Sequence, residues 1–92
     1  MSGGHFDYKQ FTIDYIADEV ESIIARNEPD FENSWAYKFS DETIAELRQG
    51  VYILRQAAIY AQRIDWLVSG DDGEDSFLKR LKDELRSLKY AE

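Results

Sequence analysis

Three arginines are the residues best placed to do chemistry in this chain. Arg48, Arg55 and Arg63 recur at intervals of seven and eight, with Tyr52, Gln62 and Trp66 between or beside them. On a helix such spacings put the guanidinium groups on one side, about 10–12 Å apart along the axis. Each guanidinium is a planar fork suited to phosphate or carboxylate, and a neighbouring aromatic ring can stack on a planar ligand. No acidic residue lies between Leu47 and Ile64, a local inversion in a chain of net charge −8. These residues predict a ligand-binding face in which Arg48, Arg55 and Arg63 neutralise phosphate while Tyr52 and Tyr8 stack or hydrogen-bond. The same pattern is equally that of a helix face whose arginines pair with Asp and Glu from neighbouring helices.

Other chemistries are narrowed by composition. There is no cysteine and one histidine, His5, which excludes disulfides, thiolate metal sites and histidine-pair zinc sites within one chain. The acidic run Asp71-Asp72-Gly73-Glu74-Asp75 lacks the alternating oxygen ligands, central glycine and distal glutamate of a calcium-binding EF-hand, and Asp72 reads instead as a helix cap. Gly3-Gly4 is not preceded by a strand, so it makes no phosphate loop. No spacing marks a nucleophile with its base. The expectation is a non-enzymatic protein with no catalytic residues, no cofactor and no metal.

The elements that must carry the arginine face are helices. Ile13, Ile16, Val20, Ile23 and Ile24 recur at threes and fours and predict a first helix over 8–26, ended by Pro29. A second, long helix is predicted over 41–69, with Ser40 as its N-cap and Gly70 as its stop. Two apolar stripes run along it: Ile44, Leu47, Val51, Leu54 and Ala58, and on another side Ile53, Ala57, Tyr60, Ile64 and Val68. A helix apolar on two sides must be covered on two sides, by two helices of its own chain or by one of them and a second subunit. The third helix, over 74–90, has Phe77, Leu78, Leu81, Leu85 and Leu88 as its buried stripe, and the short link before it makes an antiparallel hairpin. The loop 27–40 carries Phe31, Trp35, Tyr37 and Phe39, read as rings packed over the ends of the core. The expected fold class is therefore all-α, one three-helix domain over 1–92, and homo-oligomerisation is the expected support for so small a core.

Charge is unevenly spread. Residues 1–34 hold eight acidic and two basic side chains. That balance argues against non-specific nucleic-acid binding, which leans on clustered Lys and Arg. No apolar run approaches the roughly 20 residues of a membrane span, and the opening residues have no basic-then-apolar signal pattern. The expected location is the cytoplasm, or the host cytoplasm if the gene belongs to a phage.

Two stretches carry a resemblance. Met1-Ser2-Gly3-Gly4-His5-Phe6-Asp7-Tyr8 resembles the opening of a group of small phage, prophage and bacterial proteins. Tyr60-Ala61-Gln62-Arg63-Ile64-Asp65-Trp66-Leu67, continuing through Ser69-Gly70-Asp71-Asp72-Gly73 to Phe77, resembles their second block. That resemblance implies no function of its own. In architecture, a short helix ahead of a helical hairpin is similar to phage sponge proteins that sequester cyclic nucleotides or ADP-ribose-type signals of bacterial immunity. The likeness implies a homo-oligomer holding a nucleotide-derived ligand between subunits, and assigns no residue. The alternative expectation is an acidic inhibitor of a host protein, acting by contact or by imitating the charge of nucleic acid.

Overall fold

The structure, a computed structural model, describes residues 9–27 and 38–89. Three helices follow one another: α1 (Gln10–Ala25), α2 (Asp41–Val68) and α3 (Glu74–Ser87). The all-α class and the three elements agree with the sequence periodicity. Tyr8 and His5, together with Phe31, Trp35 and Tyr37, lie outside the described residues.

α2 is the axis on which the other two helices pack. Its 28 residues extend about 42 Å at 1.5 Å per residue. Ser40 caps it as expected, its Oγ accepting from the Thr43 N–H at 3.3 Å, and Asp41 and Glu42 lie at the positive end of the helix dipole. At the other end Gly70 takes φ 85°, the left-handed conformation that lets the chain turn back into α3. Asp72 is not the α3 cap that the sequence suggested. Gly73 occupies that position without a side-chain bond, and Asp72 is buried in ion pairs instead.

α1 runs antiparallel to α2. Gln10 at its start meets Gln62 and Asp65, while Asn27 past its end clasps Phe39. In that clasp the Phe39 N–H donates to Asn27 Oδ1 at 2.7 Å and Asn27 Nδ2 donates back to the Phe39 carbonyl at 3.2 Å. α1 has no side-chain cap, no acidic residue in its first turn and no basic residue in its last. A 16-residue helix without such support depends on tertiary contacts.

The Cα atoms span 53 × 25 × 13 Å, a slab little thicker than one layer of helices. Such a slab has little interior. Among the described residues Ala17 and Val51 are the buried hydrophobic side chains. The first α2 stripe (Ile44, Leu47, Val51, Leu54, Ala58) is half-buried or buried, and the second is largely open, with Ile53, Tyr60 and Val68 at 52%, 45% and 50% exposure. The α3 stripe departs from expectation at Leu78, which is 62% exposed: α3 touches α2 along one narrow line, and Leu78 falls beside it.

Replacing the α2 cap tests whether that helix begins where the structure puts it. Ser40→Ala is expected to lower stability by about 1 kcal/mol in chemical denaturation, through loss of the Oγ acceptor at the helix start.

Candidate functional site

α1 and α3 both pack on α2, and the arginine face lies among these contacts. The α2 residues that meet α1 lie on one side of the helix, and their apolar run ends at Ala58. The next two positions on that side are Gln62 and Asp65, so the contact turns from apolar to polar as it approaches the start of α1. Gln10 meets both, its Nε2 donating to Gln62 Oε1 at 2.9 Å and to Asp65 Oδ2 at 3.1 Å. Asp65 has no solvent exposure, and Gln10 is likewise buried. A buried carboxylate is tolerated only where donors reach it. Gln10 Oε1 is itself buried without a hydrogen-bond partner.

About two turns before Gln62 on α2, Arg55 enters a cluster of α1 carboxylates. Its guanidinium bonds Asp14, Asp18 (2.7 Å) and Glu21, and Nη1 also donates to the Asp14 carbonyl at 3.2 Å. Asp14, Asp18 and Glu21 share a flank of α1 because they are three and four residues apart. Partial burial alone would lower the Arg55 pKa. The hydrogen bonds from Asp18, Asp14 and Glu21 outweigh it and hold the guanidinium above its ordinary value. A cation whose folded pKa is raised contributes stability at every pH below its unfolded pKa, so Arg55 itself adds no pH dependence in the neutral or acidic range. Three half-exposed carboxylates around one guanidinium leave this flank with two surplus negative charges. Tyr15, farther round α1, feels the same sign of field: a hydrogen bond and the charge of Glu19 raise its pKa.

Arg63, about two turns further along α2, is engaged with the turn and α3 rather than with α1. It is buried, 3.4 Å from Asp72 Oδ2 and 2.7 Å from Glu84 Oε1 of α3, and its guanidinium carbon stands 4.1 Å from the Trp66 ring centroid. Asp72 also faces Arg80 at 3.7 Å. This group ties the turn and α3 to α2.

Arg48 differs from both. It forms no ion pair with a described residue, and it borders a cavity of about 170 Å³ with Glu21, Ile24, Ala25 and Val51. Tyr52 is half-buried and engaged. The structure thus separates the predicted site residues. Arg48 sits at one cavity, Arg55 in the α1 cluster and Arg63 in the hairpin.

A larger cavity, about 310 Å³, opens where the three helices approach one another. Gln10, Asp14, Arg55, Gln62 and Glu84 supply its polar wall, and Phe11, Ile59 and Leu88 are among its apolar residues. Sequence reasoning missed this cleft. Its polar residues come from three helices, and only Arg55 and Gln62 among them stand on the arginine face. The available signal was Gln10, a polar residue in register with the apolar stripe of α1. Among the described residues no group of three or more His, Asp or Glu side chains is placed to hold a metal ion. None of the described helices is long and apolar enough to cross a membrane. No protein-family model, curated protein or solved structure matches this chain.

The two arginine clusters differ in burial, and stability should report it. Arg63→Ala leaves the buried Asp72 without its nearest cation and is expected to cost about 3–5 kcal/mol. Arg55→Ala, with partners that water reaches, is expected to cost about 1 kcal/mol or less, and less still at high salt. Equilibrium denaturation of both variants at two salt concentrations checks the order.

Proposed function

We propose that this chain is a non-enzymatic interaction protein whose acidic α1 flank and adjoining three-helix cleft engage a basic segment of a partner protein. One observation carries this reading: the arginine at the centre of the expected anion-binding face is already enclosed by three carboxylates. A phosphate approaching Arg55 would have to displace Asp14, Asp18 and Glu21 and would meet their charge. A lysine or arginine side chain meets the opposite situation. The cleft offers it the amides of Gln10 and Gln62 and the second oxygens of Asp14 and Glu84, which already pair with Arg55 and Arg63, and Phe11 adds a ring suited to cation–π contact. Charge of this kind speeds encounter and selects partners, and it weakens as salt screens it.

The test uses fluorescence polarisation with a labelled arginine-rich peptide and a glutamate-rich peptide of equal length. Salt-sensitive binding of the first alone is expected. Asp18→Asn with Glu21→Gln, which leaves Asp14 to hold Arg55, should weaken it by about tenfold, the equivalent of 1.4 kcal/mol. Equal affinity for both peptides, or no effect of the substitutions, would refute the proposal.

Sequestration of a nucleotide-derived signal by a homo-oligomer stands as the second reading, favoured by one residue. Arg48 forms no ion pair with a described residue and lines a cavity with Glu21, Ile24 and Val51. Its cavity of about 170 Å³ is smaller than the roughly 300–1,000 Å³ of small-molecule sites, so a nucleotide there would need a wall from a second chain. On this reading, calorimetry with cyclic dinucleotides and cyclic ADP-ribose isomers gives heat that Arg48→Ala abolishes. No heat with any of them removes it.

A further inference from the structure

The open side of α2 has a regularity that packing within the chain does not use. Gly50, Ile53, Ala57, Tyr60, Ile64 and Leu67 follow one another at intervals of three and four, the repeat of a coiled-coil seam. Ile53 and Tyr60 are about half-exposed, Ala57 is exposed, and Val68 extends the strip at its far end. Gly50, Ile64 and Leu67 are half-buried, and the middle of the strip from Ile53 to Tyr60 stays open to solvent.

Gly50 is the second observation. It sits inside a 28-residue helix, where glycine is the least favourable residue after proline. Nothing within the chain requires it: a Cβ added there would meet no atom within 4 Å. A missing side chain on an apolar seam suits the close approach of a second helix, because the distance between packed helices is set by the side chains at their contact.

The sizes along the seam are complementary to themselves when one copy is reversed. Aligning two α2 helices antiparallel, with Ala57 of one opposite the partner's Tyr60, places Ile53 opposite the partner's Ile64 and Gly50 opposite the partner's Leu67. Each small residue then faces a large one, and a two-fold axis repeats every contact. The helix dipoles favour the same direction, since an antiparallel pair opposes them and a parallel pair aligns them.

We infer that a second copy of this chain packs on the seam from Gly50 to Leu67, forming an antiparallel α2–α2 dimer. The inference is independent of the basic-partner reading, since the seam lies away from the α1 flank.

Sedimentation of the full chain tests the dimer. A mass near twice 10.8 kDa is expected. Ile53→Glu should return it to a single chain with its helical circular dichroism retained, because Ile53 is open in the isolated fold. A wild-type mass of one chain at high protein concentration would overturn the inference, as would an Ile53→Glu dimer. Direction is read by cross-linking, which the absence of native cysteine makes clean. Oxidising a mixture of Ile53→Cys and Ile64→Cys chains should give the mixed disulfide in preference to either self-pair. Preferential self-pairing of each variant would overturn the antiparallel arrangement.

Discussion

The enclosure of Arg55 by Asp14, Asp18 and Glu21 is the contact on which the rest of the account depends. It joins α1 to α2 at the middle of their shared length. α1 needs that attachment, because it carries neither a side-chain cap nor charges that favour its dipole. The same contact fixes the sign of the surface. A guanidinium that would draw phosphate toward α2 is placed beneath three carboxylates, and the flank presents negative charge to solvent. Energy and function are thus coupled through one side chain. Individually such half-exposed pairs contribute little to stability, yet together they decide which partner charges can approach.

A second constraint is the small apolar interior. The α1-facing side of α2 begins as an aliphatic stripe and ends at Gln62 and Asp65, so the chain places a buried amide–carboxylate network where more core would otherwise lie. Polar networks of this kind specify register more than they add stability. Gln10 can satisfy Asp65 in only one alignment of α1 on α2. The turn is organised in the same way, with Arg63 gathering Asp72 and Glu84 and lying against Trp66. Part of what remains apolar is displayed outward on α2, at Ile53, Tyr60 and Val68, where we propose that a second chain packs.

Much of the fold was legible in the sequence. Periodicities of three and four located all three helices to within a few residues, because each has at least one continuous apolar stripe. Ser40 and Gly70 marked the ends of α2 because their roles rest on local chemistry that tertiary packing did not override. Asp72 shows the limit of that logic. An aspartate just before an acidic first turn reads as a cap, but a buried Arg63 nine residues earlier outcompeted the local backbone for its carboxylate. The site was less legible for a related reason. An arginine row on one helix looks the same whether it awaits a ligand or neighbouring carboxylates, and the answer lies in which flank of α1 faces it. Asp14, Asp18 and Glu21 share a flank by their spacing, but spacing alone does not orient that flank toward Arg55. The cleft was hidden further, since Gln10, Gln62 and Glu84 converge only once three helices are in place.

The claim that most needs testing is that the Arg55 guanidinium is occupied within the chain. Arginine side-chain Nε–H resonances, assigned by substitution, report it directly during titration with inorganic phosphate and then a cyclic dinucleotide. The account predicts that the Arg55 and Arg63 signals exchange slowly with water and stay in place throughout, while any response is confined to Arg48. A saturable shift of the Arg55 signal at low ligand concentration would contradict it, because that guanidinium would then be available to anions.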